Sequence, residues 1–277
     1  MGTVTKNGET FMPPDEWLLD RPEVLACLFY PRSGSGPSSQ TDILDLRIPL
    51  TDGTVIGGRC HRAAPEAVNI LFFHGNGEIA EDYDDLGLVY ARRRINFLVV
   101  DYRGYGSSTG SPTASALLAD SHAILSFVTD WLSDRGHTGP LIVMGRSLGS
   151  APALELACHH PEAIAGLILE SGFAHTGPLL RRLGVDLAAL KFEERQGFRQ
   201  LDKIRTVTQP TLVIHAEYDH IIPFEDGRAL HDASPAPNNG LLRIPGADHN
   251  TIFAVGWRPY LAAVETFVSQ LQPDPAG

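Results

Sequence analysis

Six apolar runs of strand length, at 68–73, 96–101, 141–145, 166–170, 212–216 and 241–244, recur along the chain between stretches of helical period. The helical stretches lie near 79–93, 114–135, 148–159, 224–232 and 260–271. Successive side chains of a strand point to opposite faces, so a strand apolar at nearly every position must be covered on both sides. Strands and helices in this alternation predict an α/β fold: a mostly parallel sheet of about eight strands flanked by helices. The sheet is expected to be entered through an antiparallel hairpin, because residues 46–50 and 55–59 flank the turn sequence Thr51-Asp52-Gly53-Thr54.

The rhythm continues without an internal repeat, so the whole of 1–277 is expected to be a single α/β domain. Residues 1–40, with Pro13-Pro14, Pro22 and a Ser/Gly-rich stretch at 33–39, are expected to be irregular. One interruption, 174–205, is longer than a simple crossover and carries Leu179, Leu183, Leu187 and Leu190 at helical spacing. It is expected to form a small cap over the carboxyl edge of the sheet, where open α/β sheets bind ligands.

Composition excludes several classes. With 43% hydrophobic and 20% charged residues over 277 positions, the chain can bury a full core. Its net charge of −11 leaves no basic surplus to neutralise phosphates, so no nucleic-acid partner is expected. No apolar run approaches the roughly 20 residues of a membrane span, and MGTVTKNGETFMPP has no apolar signal core. Lys6 stands where a myristoylation signal has Ser or Thr. Cys27, Cys60 and Cys158 are odd in number and form no CxxC pair. The expectation is a soluble, cytoplasmic protein without disulfides.

The sharpest chemical signal is Gly145-Arg146-Ser147-Leu148-Gly149, which follows one apolar run and opens a helical stretch. A serine on so tight a strand-to-helix turn presents its Oγ beside the positive end of a helix, the context of a nucleophile elbow. A neutral hydroxyl is a poor nucleophile and needs a base, and the base needs an orienting acid. Of the eleven histidines, His249 lies in the turn after the last strand, at the same sheet edge as Ser147. His159 and His160 fall at the far end of the helix and are expected on the surface, His215 lies within a strand as a core residue, and His175, at the start of the cap and without an orienting partner, is a candidate substrate-binding residue lining the pocket. Asp219 follows the strand at 212–216, giving the order Ser147, Asp219, His249; Glu170 and Glu217 are its competitors. Asp248 reads as a loop-stabilising carboxylate.

Phe73-His74-Gly75-Asn76-Gly77 follows a strand and precedes a helix. In this setting the backbone N–H groups of Asn76 and Leu148 are the candidate oxyanion hole. The loop lacks GxGxxG and GxxxxGKS, which argues against a phosphate cradle. With no HExxH and no Cys/His zinc spacing, neither metal nor cofactor is expected.

Together these residues resemble the α/β-hydrolase superfamily, and within it the branch of serine hydrolases that includes acyl-protein thioesterases (depalmitoylases) and their bacterial relatives. The matching segments are HGNGE (74–78), DYRGYGSSTG (101–110), GRSLGSAPALELA (145–157), the segment 201–227 and ADHN (247–250), covering most of 68–251. The resemblance implies Ser147 as nucleophile, Asp219 as acid and His249 as base, acting on a small-molecule or acylated substrate through an acyl-enzyme. It also implies that Asp101 and Arg103 brace their loop, that Tyr102 and Tyr105 pack beside the pocket with Tyr105 a candidate substrate contact, and that Arg146 is an ion-pair partner. Pro152, five residues after the serine and expected to delete a helical hydrogen bond, is frequent in this branch. The chain departs from it in lacking an N-terminal cysteine cluster for lipidation, with Cys27 alone in that part, and in having Ala247 before Asp248-His249 where relatives usually have glycine. Peptidase or acyltransferase chemistry on the same triad, and a silent binding protein, are the alternatives.

Overall fold

A computed structural model describes residues 17–271. Eight strands form one sheet: β1 (Ile43–Pro49), β2 (Val55–His61), β3 (Val68–Phe73), β4 (Ile95–Val100), β5 (Leu141–Arg146), β6 (Gly166–Glu170), β7 (Thr211–Ala216) and β8 (Asn239–Ile244). Their order is β1-β2-β4-β3-β5-β6-β7-β8. The β1–β2 and β2–β4 pairs are antiparallel and the other five are parallel, as the hairpin and the apolar runs predict.

The helices are α1 (Pro22–Leu28), α2 (Asp84–Ala91), α3 (Ala114–Asp134), α4 (Ser150–His159), α5 (Thr176–Arg182), α6 (Gln200–Ile204), α7 (Phe224–Ala233) and α8 (Ile252–Ser269). Alternation along the strands divides the core in two. Leu71, Phe73, Val143, Leu167 and Val213 join the cluster that includes α1, α3 and α4 residues. Their neighbours on the other face, namely Ile70, Phe72, Ile142, Met144, Ile168 and Ile214, pack with α2 and α8. Strand order reverses between β3 and β5, so the turns leaving these two strands sit side by side at the switch point where such sheets bind ligands.

Three local expectations are corrected. Within 1–40, residues 1–16 lie outside the described part, but α1 stands where irregular chain is expected: Pro22 occupies a first-turn position that needs no N–H, and Val24 and Leu28 are buried. The leucine spacing of 174–205 does not make one helix; α5 ends at Arg182, and Gly184 (φ +92°) turns the chain before Leu187. Helix α8 begins at Ile252 rather than near 260. It absorbs Pro259 and a non-helical Gly256, while Phe253 packs edge-on against both Trp257 and Tyr260.

Candidate active site

Ser147 leaves β5 with φ +51°, a left-handed conformation that non-glycine residues rarely take. The turn closes only because its flanks are bare: a Cβ at Gly145 would lie 2.1 Å from the Gly149 carbonyl oxygen, and one at Gly149 would lie 2.0 Å from that of Phe73. Ser150 Oγ donates to the Ser147 carbonyl at 2.6 Å, tying the turn to α4. Pro152 falls in the first turn of α4, which follows the 3-10 turn Ser147–Gly149 without a break, so an N–H at 152 would face the Leu148 carbonyl and proline removes that bond at the start of the helix, where it is tolerated.

His249 Nδ1 lies 2.6 Å from Asp219 Oδ2 and its Nε2 lies 3.1 Å from Ser147 Oγ. With the carboxylate ionised, Nδ1–H donates to Asp219 and Nε2 is left to accept from the serine. The other carboxylate oxygen, Oδ1, accepts from the Ile221 amide at 3.0 Å and the Ile222 amide at 2.7 Å. Burial works to raise the Asp219 carboxyl, but the His249 hydrogen bond and charge and the Ile222 amide hold it below the ordinary range. His215, in the core as expected, fixes the same loop by donating from Nε2 to the Ile222 carbonyl at 2.8 Å. The competing carboxylates are otherwise engaged: Glu217 accepts from Arg243 and the Gly246 amide, and Glu170 from Arg146 and Tyr260. Asp248 Oδ1 accepts from the amides of Asn250 and Thr251, bracing the histidine turn.

The loop after β3 is held by its side chains. Asn76 Oδ1 accepts from the Tyr30 amide and from the Tyr105 hydroxyl, each at 2.7 Å. Tyr105 is fully buried, so it has no surface to offer a substrate and serves as an anchor for Asn76. His175 is exposed, and its amide donates to Asp226 Oδ1 at 3.2 Å. In the adjacent loop Asp101 Oδ1 accepts from the Ala80 amide, and Arg103 forms a two-pronged pair with Asp120 at 2.6 and 2.7 Å.

Arg146 has a larger part than its sequence position suggests. Its Nε donates to Glu78 Oε1 at 2.8 Å, Nη1 to Glu170 Oε1 at 2.8 Å, and Nη2 to the His249 carbonyl at 2.9 Å. Glu78 Oε2 in turn accepts from the Gly75 amide at 2.6 Å. One buried guanidinium beside Ser147 therefore joins the Gly75–Asn76 loop to the His249 turn. Burial pushes the Glu78 carboxyl up, but Arg146 and the Tyr83 hydroxyl outweigh it and keep the group below its ordinary range. Glu78 is the last residue of HGNGE, and a carboxylate closing that turn, with an arginine in the elbow, was the available signal; no role follows for either without the sheet order.

A family model described as "Serine aminopeptidase, S33" matches residues 64–196. The human "Alpha/beta hydrolase domain-containing protein 17B" is 34% identical over 222 residues, covering 76% of this chain and 69% of that protein. Mouse "Alpha/beta hydrolase domain-containing protein 17C" is 33% identical over 223 residues, covering 77% and 63%. Among solved structures, an esterase of Pyrococcus furiosus superposes with TM-score 0.71 at 18% identity over 88% of this chain and 100% of its own. A monoglyceride lipase of Saccharomyces cerevisiae superposes with TM-score 0.64 at 18% identity over 87% and 99%.

Proposed function

The chain belongs to the α/β-hydrolase superfamily, and we propose that it cleaves a carboxylic ester or thioester through an acyl-enzyme on Ser147. The observation that carries this reading is the continuous chain Asp219–His249–Ser147, with both links within hydrogen-bond reach on a strained elbow. As Oγ attacks the acyl carbonyl, its proton passes to His249 Nε2; Asp219 holds the imidazole tautomer and favours the imidazolium. The N–H groups of Asn76 and Leu148 receive the oxyanion. The imidazolium then protonates the departing alcohol or thiol, and water activated by the same His249 releases the acid.

Large apolar side chains stand exposed at the flanks of this machinery. Tyr30, whose amide holds Asn76, is 72% exposed, and Tyr218, next to Asp219, is 66% exposed. That surface suits an acylated substrate. The segment 174–205, which packs on α1, α4 and α7, is the proposed cap on the single domain. The names of the relatives and the similar structures, hydrolase, esterase and lipase, point the same way. The family description favours one second reading, amide hydrolysis at an amino-terminal residue.

The test is the intact mass after a fluorophosphonate probe, for wild type and Ser147→Ala, followed by turnover of p-nitrophenyl acyl esters, acyl thioesters and aminoacyl p-nitroanilides. A single adduct on wild type and none on the variant, with ester or thioester turnover, is the expected result. No adduct on the folded wild type would place the chain among silent binding proteins, and turnover of the anilide alone would make it a peptidase.

A further inference from the structure

Far from Ser147, at the other end of α4, four side chains converge between α3 and α4. Residues His159 and His160, expected on the open surface, are half-buried there. Glu155 and His159 are four positions apart on α4 and so share a face, and His122 of α3 meets them. One ligand atom from each of His122, Glu155 and His159 lies within 4.8 Å of the other two. We propose that this cluster is a binding site for a borderline divalent transition ion of the Zn2+ class.

The spacing carries the argument. His122 Nε2 stands 3.4 Å from Glu155 Oε1, and His159 Nδ1 stands 3.3 Å from the same oxygen. Direct hydrogen bonds between imidazole and carboxylate are commonly much shorter, about 2.7–2.9 Å when charge-assisted. Two ligands held tetrahedrally at about 2.0–2.1 Å from a zinc ion stand about 3.3 Å apart. These two separations match that edge, and the third, between the imidazole nitrogens, lies within 4.8 Å.

The surrounding groups complete the site. His160 Nε2 lies 2.7 Å from His122 Nδ1, so a His122 tautomer that donates from Nδ1 leaves Nε2 with a lone pair facing the carboxylate oxygen. Glu155, whose side chain is 1% exposed, gives its other oxygen to Lys203 Nζ at 2.6 Å, which fixes the carboxylate plane. His159 Nδ1 also lies 2.9 Å from the Glu155 carbonyl oxygen, so loading exchanges that bond for one to the ion. Lys203 cancels the formal charge of Glu155, which removes the attraction that an all-oxygen site exerts on Mg2+ or Ca2+. Selectivity then rests on two imidazoles, donors that favour Zn2+, Cu2+ and Ni2+. The rings are partly open to solvent, with side-chain exposures of 27% for His122 and 16% for His159, so an ion can enter. Helix α4 spans about 15 Å, so the ion would clamp α3 to the helix behind the elbow without touching the reacting groups. The ligands come from two helices separated by 33 residues, which is why no zinc spacing is visible along the chain.

The experiment uses the full chain without an affinity tag, stripped with chelator and dialysed against ZnCl2, with bound zinc counted by mass spectrometry. Wild type is expected to hold one equivalent, to lose at least tenfold in affinity in His122→Ala and in His159→Ala, and to keep it in His231→Ala, an alteration on α7. His160→Ala should weaken binding by about tenfold to a hundredfold. Co2+ added to stripped wild type should give the visible bands of a tetrahedral nitrogen and oxygen site, a readout that needs no variant to fold. Mg2+ should not compete. No zinc on wild type, no tetrahedral Co2+ spectrum, or equal zinc on wild type and folded His122→Ala would overturn the proposal.

Discussion

Replacing Arg146 by methionine tests how the site is held together. The guanidinium carries three hydrogen bonds of 2.8–2.9 Å, and its side chain is only 8% exposed. Methionine has the length to fill the space but removes the charge, so Glu78 and Glu170 are left facing each other without a cation. Breaking a buried ion pair by deleting one partner costs about 3–5 kcal/mol, a large share of the roughly 5–15 kcal/mol that holds a typical domain together. The variant should therefore fold but unfold at much lower denaturant.

Activity should fall for a separate reason. Arg146 bonds the His249 carbonyl directly and reaches the Gly75 amide through Glu78, so its loss frees the proposed base and the proposed oxyanion loop from one another. A fall of at least about tenfold in kcat, with KM little changed, is the expected signature of groups misplaced in the transition state. Adding Glu78→Gln and Glu170→Gln to Arg146→Met removes the stranded charges. That triple variant should regain much of the stability and little of the rate. Urea denaturation and ester hydrolysis, measured side by side on the three proteins, separate the two effects. A stability loss under about 1 kcal/mol, the range of an exposed pair, or a rate that recovers together with stability, refutes the reasoning.

Two further outcomes follow from the geometry. Tyr105→Phe deletes the hydroxyl that donates to Asn76 Oδ1 and accepts from the Tyr30 amide; with a net hydrogen bond worth about 1 kcal/mol, stability should fall by about that amount and kcat/KM about fivefold, and unchanged kinetics would remove Tyr105 from the site's supports. Burial drives His61 and His215 below the ordinary value of 6.5. The unfolded chain takes up these protons near 6.5 while the folded chain refuses them, so stability falls as pH drops below about 6.5, with a limiting slope of about 1.4 kcal/mol per pH unit for each histidine. Denaturation midpoints above and below that pH should show the decline, less steeply in His215→Gln, and a flat profile would contradict it.

What could be read from the sequence is unevenly spread, and the reason is physical. Ser147, Asp219 and His249 were legible because each sits where a strand of the parallel sheet ends, and strand ends are marked locally by apolar runs and turn residues. Gly145 and Gly149 were legible because a crowded turn excludes a Cβ, a constraint written in two positions that flank one serine within five residues. The Arg146 network was not. Glu78, Arg146, Glu170 and Tyr260 lie on segments separate from one another and from His249, and although an ion pair is expected of Arg146, nothing along the chain names its partners. They meet because β5 runs between β3 and β6, and α8 returns Tyr260 to Glu170 at 2.6 Å. Tyr105 is of the same kind: its chemistry suits a ligand, but its burial depends on the Tyr30 and Asn76 segments folding over it. Local pattern thus locates the atoms that must be presented at a turn, whereas the partners of buried charges are chosen by strand order, and it is the second set that keeps the first in register.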